Sequence, residues 1–210
     1  QVSQPCREQP KIVGGPGYEQ CRRYDAATCL SKQRTPLRFC MDRYEWPNKK
    51  GELPRTLTSW PDALKACQGL GKRLCTMDEF NFACEGESMK AHVYGNVRDP
   101  EKCNFDRPYI MRTYNYQPWD ECMRTPACKQ EYERLDQRLP AGHKPLCVSD
   151  HGVFDLNGNV NEWVVRTDQR SPHRSGLKGG WWGPVRDRCR PMTTFHPEGD
   201  YGYEAGWRCC

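Results

Sequence analysis

Gly152-Val-Phe-Asp-Leu-Asn-Gly-Asn-Val-Asn-Glu-Trp163 is the stretch whose reading decides the fold. Its acidic residues fall at the wrong offsets for a calcium-binding EF-hand. It still has what a hard cation needs. Asp155 and Glu162 offer carboxylate oxygens, and Gly158 with Asn159 permits a tight turn that aims main-chain carbonyls inward. The same residues also read as a polar turn between two strands, held by Asn side chains. The pattern alone leaves both readings open.

Outward from this loop, the chain of 210 residues carries 14 cysteines. An even count of that density is hard to keep in a reducing cytosol unless metals hold the thiols, and it permits up to seven bridges. No run approaches the ~18 apolar residues of a membrane helix, which argues against a transmembrane segment. Net charge is +5 with the signs interspersed. That is a solvated surface and not a nucleic-acid tail. The start at Gln1-Val2-Ser3 reads as a mature terminus after removal of a targeting segment, which implies an exported protein.

Residues 1–36 form a cysteine-containing extension with little periodicity. Cys6, Cys21 and Cys29 are odd in number, so at least one should bond outside, with Cys40 as a partner. The main body, 37–210, opens with Phe39, Met41 and Tyr44 spaced as a short strand. Ser59 caps a first helix with Pro61 in its first turn, and Ala63, Leu64, Cys67 and Leu70 lie on one face. Thr76 and Glu79 form a capping box for a second helix with Phe80, Ala83 and Cys84 buried. Residues 86–118 read as irregular. An insertion, 107–138, carries helix-permissive charge, and Cys122 and Cys128 flank Pro126 closely enough for a local bridge. Tyr114 and Tyr116 read as packing residues. Beyond Leu139, recurring Gly and Pro imply short strands.

The signature loop resembles "GLYDIVGNAWEW" of the formylglycine-generating enzyme (sulfatase-modifying factor) family. Phe39-Cys-Met-Asp-Arg-Tyr-Glu45 is similar to the family's "F-x-x-D-R-x-E". Ser59-Trp-Pro-Asp-Ala63 is similar to "VSWDDA", and Gly71-Lys-Arg-Leu-Cys-Thr-Met-Asp-Glu-Phe80 to "GKRLPTEAEW". Lys178-Gly-Gly180 and Gly206-Trp-Arg-Cys209 are similar to "KGG" and "GFRC". These blocks keep the family order across residues 37–210. The resemblance implies an α+β, C-type-lectin-like fold with little regular secondary structure and structural calcium. It implies one calcium on Asp155, Gly158, Val160 and Glu162, and the start of a second site at Asn104 and Phe105. It also implies a Cys67–Cys209 bridge. The family's partner for the Cys84 position is Thr194 here, so Cys84 must bond Cys75, Cys103 or Cys189.

The family's copper site is where this chain departs. Alignment on Lys178-Gly179-Gly180 puts Pro184 at the first copper cysteine and Cys189 at the second. Two thiolates make the soft site that copper(I) needs, and one does not. The resemblance therefore argues against copper as a cofactor. No His-x3-His-x-Glu iron motif occurs among His92, His143, His151, His173 and His196. Cys189 has two readings: a reactive thiol among Arg186, Arg188 and Arg190, or a disulfide partner. Those arginines alternate and would share one face of a strand. Trp181, Trp182, Arg186 and His196 are candidates for a ligand groove.

The expectation is an exported, disulfide-rich, calcium-stabilised domain located in a periplasm, on a cell surface or outside the cell. It would act as a non-catalytic binding or structural module for a protein or small ligand, or as part of a larger surface assembly. The alternative is a periplasmic oxidoreductase similar to bacterial pyoverdine-maturation relatives.

Overall fold

A computed structural model describes residues 23–25, 35–113 and 119–210. The expected bond from Cys6, Cys21 or Cys29, and Tyr114 and Tyr116, lie outside the described residues. Cys40 is exposed and carries no disulfide.

Two helices come first, and each begins where its cap residue dictates. Helix α1 spans Trp60–Gln68, with the Ser59 side chain accepting from the Asp62 N–H and Pro61 in its first turn. Proline fits there because that N–H has no helical partner in any case. Its buried side chains are Trp60, Ala63 and Cys67. Leu70, expected on that face, is 58% exposed, because Gly69 and Gly71 turn the chain away one residue after the helix. Helix α2 spans Met77–Glu85 and starts with a full capping box between Thr76 and Glu79. Glu79 also holds Arg73 through two bonds of 2.6 and 2.7 Å. Replacing Thr76 by alanine is expected to lower stability by about 1 kcal/mol, read from the urea midpoint at unchanged slope.

The short strand expected at 39–44 does not form. That segment forms no ladder, bends from Arg43 on, and ties to the C-terminus, with the Asp42 N–H on the Cys209 carbonyl at 2.8 Å and the Trp46 N–H on the Trp207 carbonyl at 2.8 Å. Its apolar alternation serves packing against the core around α2 instead. Residues 86–113 contain no helix or strand.

The insertion folds into helices α3 (Trp119–Cys122) and α4 (Pro126–Leu135), and Cys122 bonds Cys128. Four short strands follow: β1 (Asn161–Val165), β2 (Ser175–Lys178), β3 (Met192–Thr193) and β4 (Ala205–Gly206). They form one sheet in the order β3-β2-β1-β4. β1 pairs antiparallel with β2, Glu162 facing Lys178, and parallel with β4, Glu162 facing Gly206. The signature loop therefore feeds directly into the central strand.

Three clusters make the core. One surrounds α2 and includes Phe80, Phe105, Leu156 and Val164. A second joins α1 to the sheet through Trp60, Trp163, Leu177 and Trp207. A third, smaller one holds the insertion through Cys122, Cys128 and Leu135, with Tyr201 and Tyr203 packed against it. Disulfides Cys67–Cys209, Cys75–Cys210, Cys84–Cys189 and Cys103–Cys147 lock the first two clusters. They span 142, 135, 105 and 44 residues, so each removes a long loop from the unfolded ensemble.

Candidate functional site

The signature loop sits over a buried cluster of charge. Asp155, at φ 59°, accepts the Gly142 N–H at 2.7 Å. Glu162, on β1, is gripped at both oxygens by Arg208, with bonds of 2.6 and 2.6 Å. Glu45, from the first matched block, accepts from the Asn159 amide at 2.7 Å and the Val160 N–H at 3.2 Å. Glu45, Asp155 and Glu162 are all buried, and so is Arg208. Burial pushes the Glu45 carboxyl well up, and the neighbouring Asp155 and Glu162 carboxylates push it further. Burial also raises Asp155 to about 6, and raises Glu162 against the pull of Arg208. Three carboxyl groups thus share a low-dielectric pocket with one guanidinium, an arrangement that favours an added cation. Gly158 is fixed by close approach. At φ +78° a Cβ there would lie 2.3 Å from the Asn104 carbonyl oxygen.

The two implied calcium sites differ in donor chemistry. The first has hard oxygen donors and three buried carboxyl groups against one guanidinium, so its residues fit a divalent cation even though Arg208 holds both Glu162 oxygens. Among the described residues, no group of three or more His, Cys, Asp or Glu side chains is arranged to hold a metal ion. A cation there depends on main-chain oxygens such as those of Gly158 and Val160. The second site does not fit. The Asn104 Oδ1 accepts from the Arg107 Nε at 3.0 Å, so a guanidinium already stands at that oxygen. The Asn104 amide donates to the Gln137 carbonyl and the Asn159 Oδ1 at 3.0 and 2.9 Å, and its own carbonyl accepts the Asn159 N–H.

At the aromatic end, Trp181 and Trp182 pack edge to face at 5.3 Å, and Tyr203 lies 5.7 Å from Trp181. Insertion residues Pro108, Tyr109, Ile110, Leu135 and Gln137 close over them, leaving no volume that a water molecule could enter. His196 faces elsewhere: its Nδ1 is 2.5 Å from the Asp200 Oδ2 and its ring meets Phe195. Arg186 is exposed.

The arginine series corrects the shared-face expectation. Residues 181–190 form no strand, so alternation does not set direction. Arg188 is buried with its guanidinium over the Tyr24 ring, and Arg190 holds Glu85 through bonds of 2.6 and 2.9 Å. Cys189 is fully buried in its bond to Cys84. Asn157 braces that bridge, donating to the Asp187 carbonyl at 2.6 Å and accepting the Val93 N–H at 2.8 Å. Asp187 and Asp106 both pair with Arg98. Beside them His92 is fully enclosed, and burial with Arg98 and Arg188 pushes its ring down to about 3. It is held neutral across the physiological range.

Lys178 of the Lys-Gly-Gly block is also buried. Its Nζ donates to the Arg190 carbonyl at 2.8 Å and lies 5.6 Å from the Phe80 ring centre. Burial lowers it from 10.5 to about 7. Unfolding therefore takes up a proton between those values, and the contribution of Lys178 makes stability rise as pH rises from about 7 to 10.5. Lys178→Met is expected to flatten that rise, checked by urea unfolding of both proteins across the interval.

Sequence reasoning did not single out Glu45, Arg208 or Arg107, and it read Asn159 as a turn residue without its bond to Glu45. Glu45 and Arg208 stood inside matched blocks as family letters. Glu45 bonds Asn159 and Val160, 114 and 115 positions away, and Arg208 bonds Glu162, 46 positions away, so neither contact leaves a local periodicity.

Taken together, the fold and site define a disulfide-locked α+β domain in which one candidate thiol is oxidised and the aromatic end is filled. The sulfatase-modifying factor enzyme 1-like domain family matches residues 17–210, and the chain belongs to that family. It is similar to "Inactive C-alpha-formylglycine-generating enzyme 2" of Bos taurus, at 29% identity over 170 residues, covering 77% of this chain and 51% of that protein. The Mus musculus protein of the same description is also 29% identical, with 77% and 50% covered. The chain thus spans about half the length of these curated relatives. Two solved structures share the fold. PvdO from Pseudomonas aeruginosa has a TM-score of 0.53 and 16% identity, covering 94% of this chain and 71% of that one. CarF has a TM-score of 0.53 and 16% identity, covering 76% and 67%.

Proposed function

We propose that this chain is a non-catalytic binding or structural module of its family, exported and stabilised by calcium at the first site only. The observation that carries this reading is the fate of the two aligned copper positions. Pro184 has no thiol, and Cys189 is consumed by Cys84. A linear two-thiolate site cannot be assembled from them. The filled Trp181–Tyr203 end and the inactive description of the two mammalian relatives support the same reading. Five disulfides among the described residues favour an oxidising compartment, whether periplasm, cell surface or extracellular space. Such a domain suits a larger surface assembly, with a protein or small ligand as partner. No helix among the described residues is long and apolar enough to cross a membrane.

Calcium bound through Asp155, Glu162 and the Gly158 and Val160 carbonyls would offset the buried negative charge there. Calorimetric titration is expected to give one calcium per chain, with chelation lowering the melting temperature. Asp155→Asn should abolish that calcium effect, while Arg107→Gln should leave it. A melting temperature indifferent to chelator contradicts the assignment. Catalytic idleness is tested by incubating copper-treated protein with a sulfatase-type cysteine peptide. Mass spectrometry is expected to find the cysteine unchanged, and a formylglycine product contradicts the proposal.

A further inference from the structure

Away from both sites, the outer face of α2 borders a cleft of about 370 Å³. Its lining is Leu37, Arg38, Phe39, Met41, Phe82, Ala83, His151 and Val153. It shares no lining residue with the Trp181–Tyr203 end. A volume of this size, lined by six apolar side chains with Arg38 and His151, is that of a small-molecule pocket.

Three walls form the cleft, and each is held. Phe82 and Ala83 stand on α2, within two residues of the Cys84–Cys189 bridge. Val153 and His151 belong to a loop fixed by Cys103–Cys147, by the Ser149 N–H on the Val153 carbonyl and by the Gly152 N–H on the Ser149 carbonyl, both at 2.9 Å. The 37–41 segment is pinned just beyond its end, where Asp42 bonds Cys209 and the Phe154 N–H meets the Arg43 carbonyl at 2.8 Å. A preformed wall spares a ligand the cost of ordering it.

The polar lining consists of two basic side chains and no acidic one. Arg38 is exposed, and its guanidinium has no hydrogen-bond or ion-pair partner among the described residues. The His151 ring packs tilted against Phe82, with ring centres 5.0 Å apart, and leaves its nitrogens unengaged by any described residue. The nearest acid in sequence, Asp150, is already bonded to Lys90 at 2.7 Å. A permanent cation with a second nitrogen donor, set beside an apolar floor, complements a carboxylate attached to an apolar body.

We propose that this cleft binds a small amphipathic carboxylic acid. Its aromatic or aliphatic body lies on Phe39, Met41, Phe82 and Val153, and its carboxylate is held by Arg38 with His151 beside it. The proposal does not rest on the calcium site or on catalytic idleness. The test is calorimetric titration of the whole chain with 4-phenylbutyrate and with its neutral amide. The acid is expected to bind, and the amide to bind about tenfold more weakly, the worth of one charge-assisted contact. Arg38→Ala should weaken the acid about tenfold without changing the amide, and its melting temperature should be unchanged because the side chain is exposed. Phe39→Ser should weaken both probes, whereas Leu70→Ser, an exposed apolar position outside the cleft, should weaken neither. No binding at millimolar acid overturns the proposal. So does equal binding of acid and amide, or acid binding untouched by Arg38→Ala.

Discussion

Arg208→Met is expected to destabilise the domain by about 3–5 kcal/mol, the loss seen when one partner of a buried ion pair is removed. Arg208 is 1% exposed. Besides the two bonds to Glu162, it donates to the carbonyls of Asp42 at 3.2 Å and Phe154 at 2.9 Å. Methionine keeps much of the volume and none of these bonds. It leaves Glu45, Asp155 and Glu162 without their guanidinium, and at neutral pH they must bind protons or stay charged in a dry site. Urea unfolding with calcium removed reads the loss. Two results give it its cause. Adding Glu162→Gln should recover part of it, and saturating calcium should recover part in Arg208→Met but not in Arg208→Met with Asp155→Asn. A loss below about 1 kcal/mol would mean that the cluster is not a buried charge site.

Cys84→Ser with Cys189→Ser is expected to cost about 2–5 kcal/mol, because the bridge closes a long loop. The separation is 105 residues. The bridge also seats Asn157, which ties the 93, 157 and 187 segments together. Thermal unfolding under non-reducing conditions measures the effect. Cys84→Ala alone frees the Cys189 thiol yet should restore no copper oxidase chemistry, since Pro184 still lacks the second thiolate.

Local signals were legible where the cause is local. Ser59 and Thr76 predict both helix starts because a side-chain oxygen caps an N–H three residues on. The Cys122–Cys128 bridge follows from short spacing around Pro126. The family frame adds the fold and the Cys67–Cys209 pairing, and it leaves three candidates for Cys84, of which the structure selects Cys189. What failed was pattern without context. Phe39 and Met41 alternate like a strand, but their segment meets the C-terminus instead of a ladder. Arg186, Arg188 and Arg190 alternate in a chain that is not extended there. The contact of Arg107 with Asn104 was not legible, because no motif marks which arginine a buried asparagine will bond.

Titrating the oxidised protein with copper(I) against a competing chelator tests the central claim most directly. No tight site that depends on Cys189 is expected, so wild type and the Cys84→Ser, Cys189→Ser double variant, which leaves no new thiol, should give the same curve. One equivalent of tightly bound copper that disappears in the double variant would contradict it.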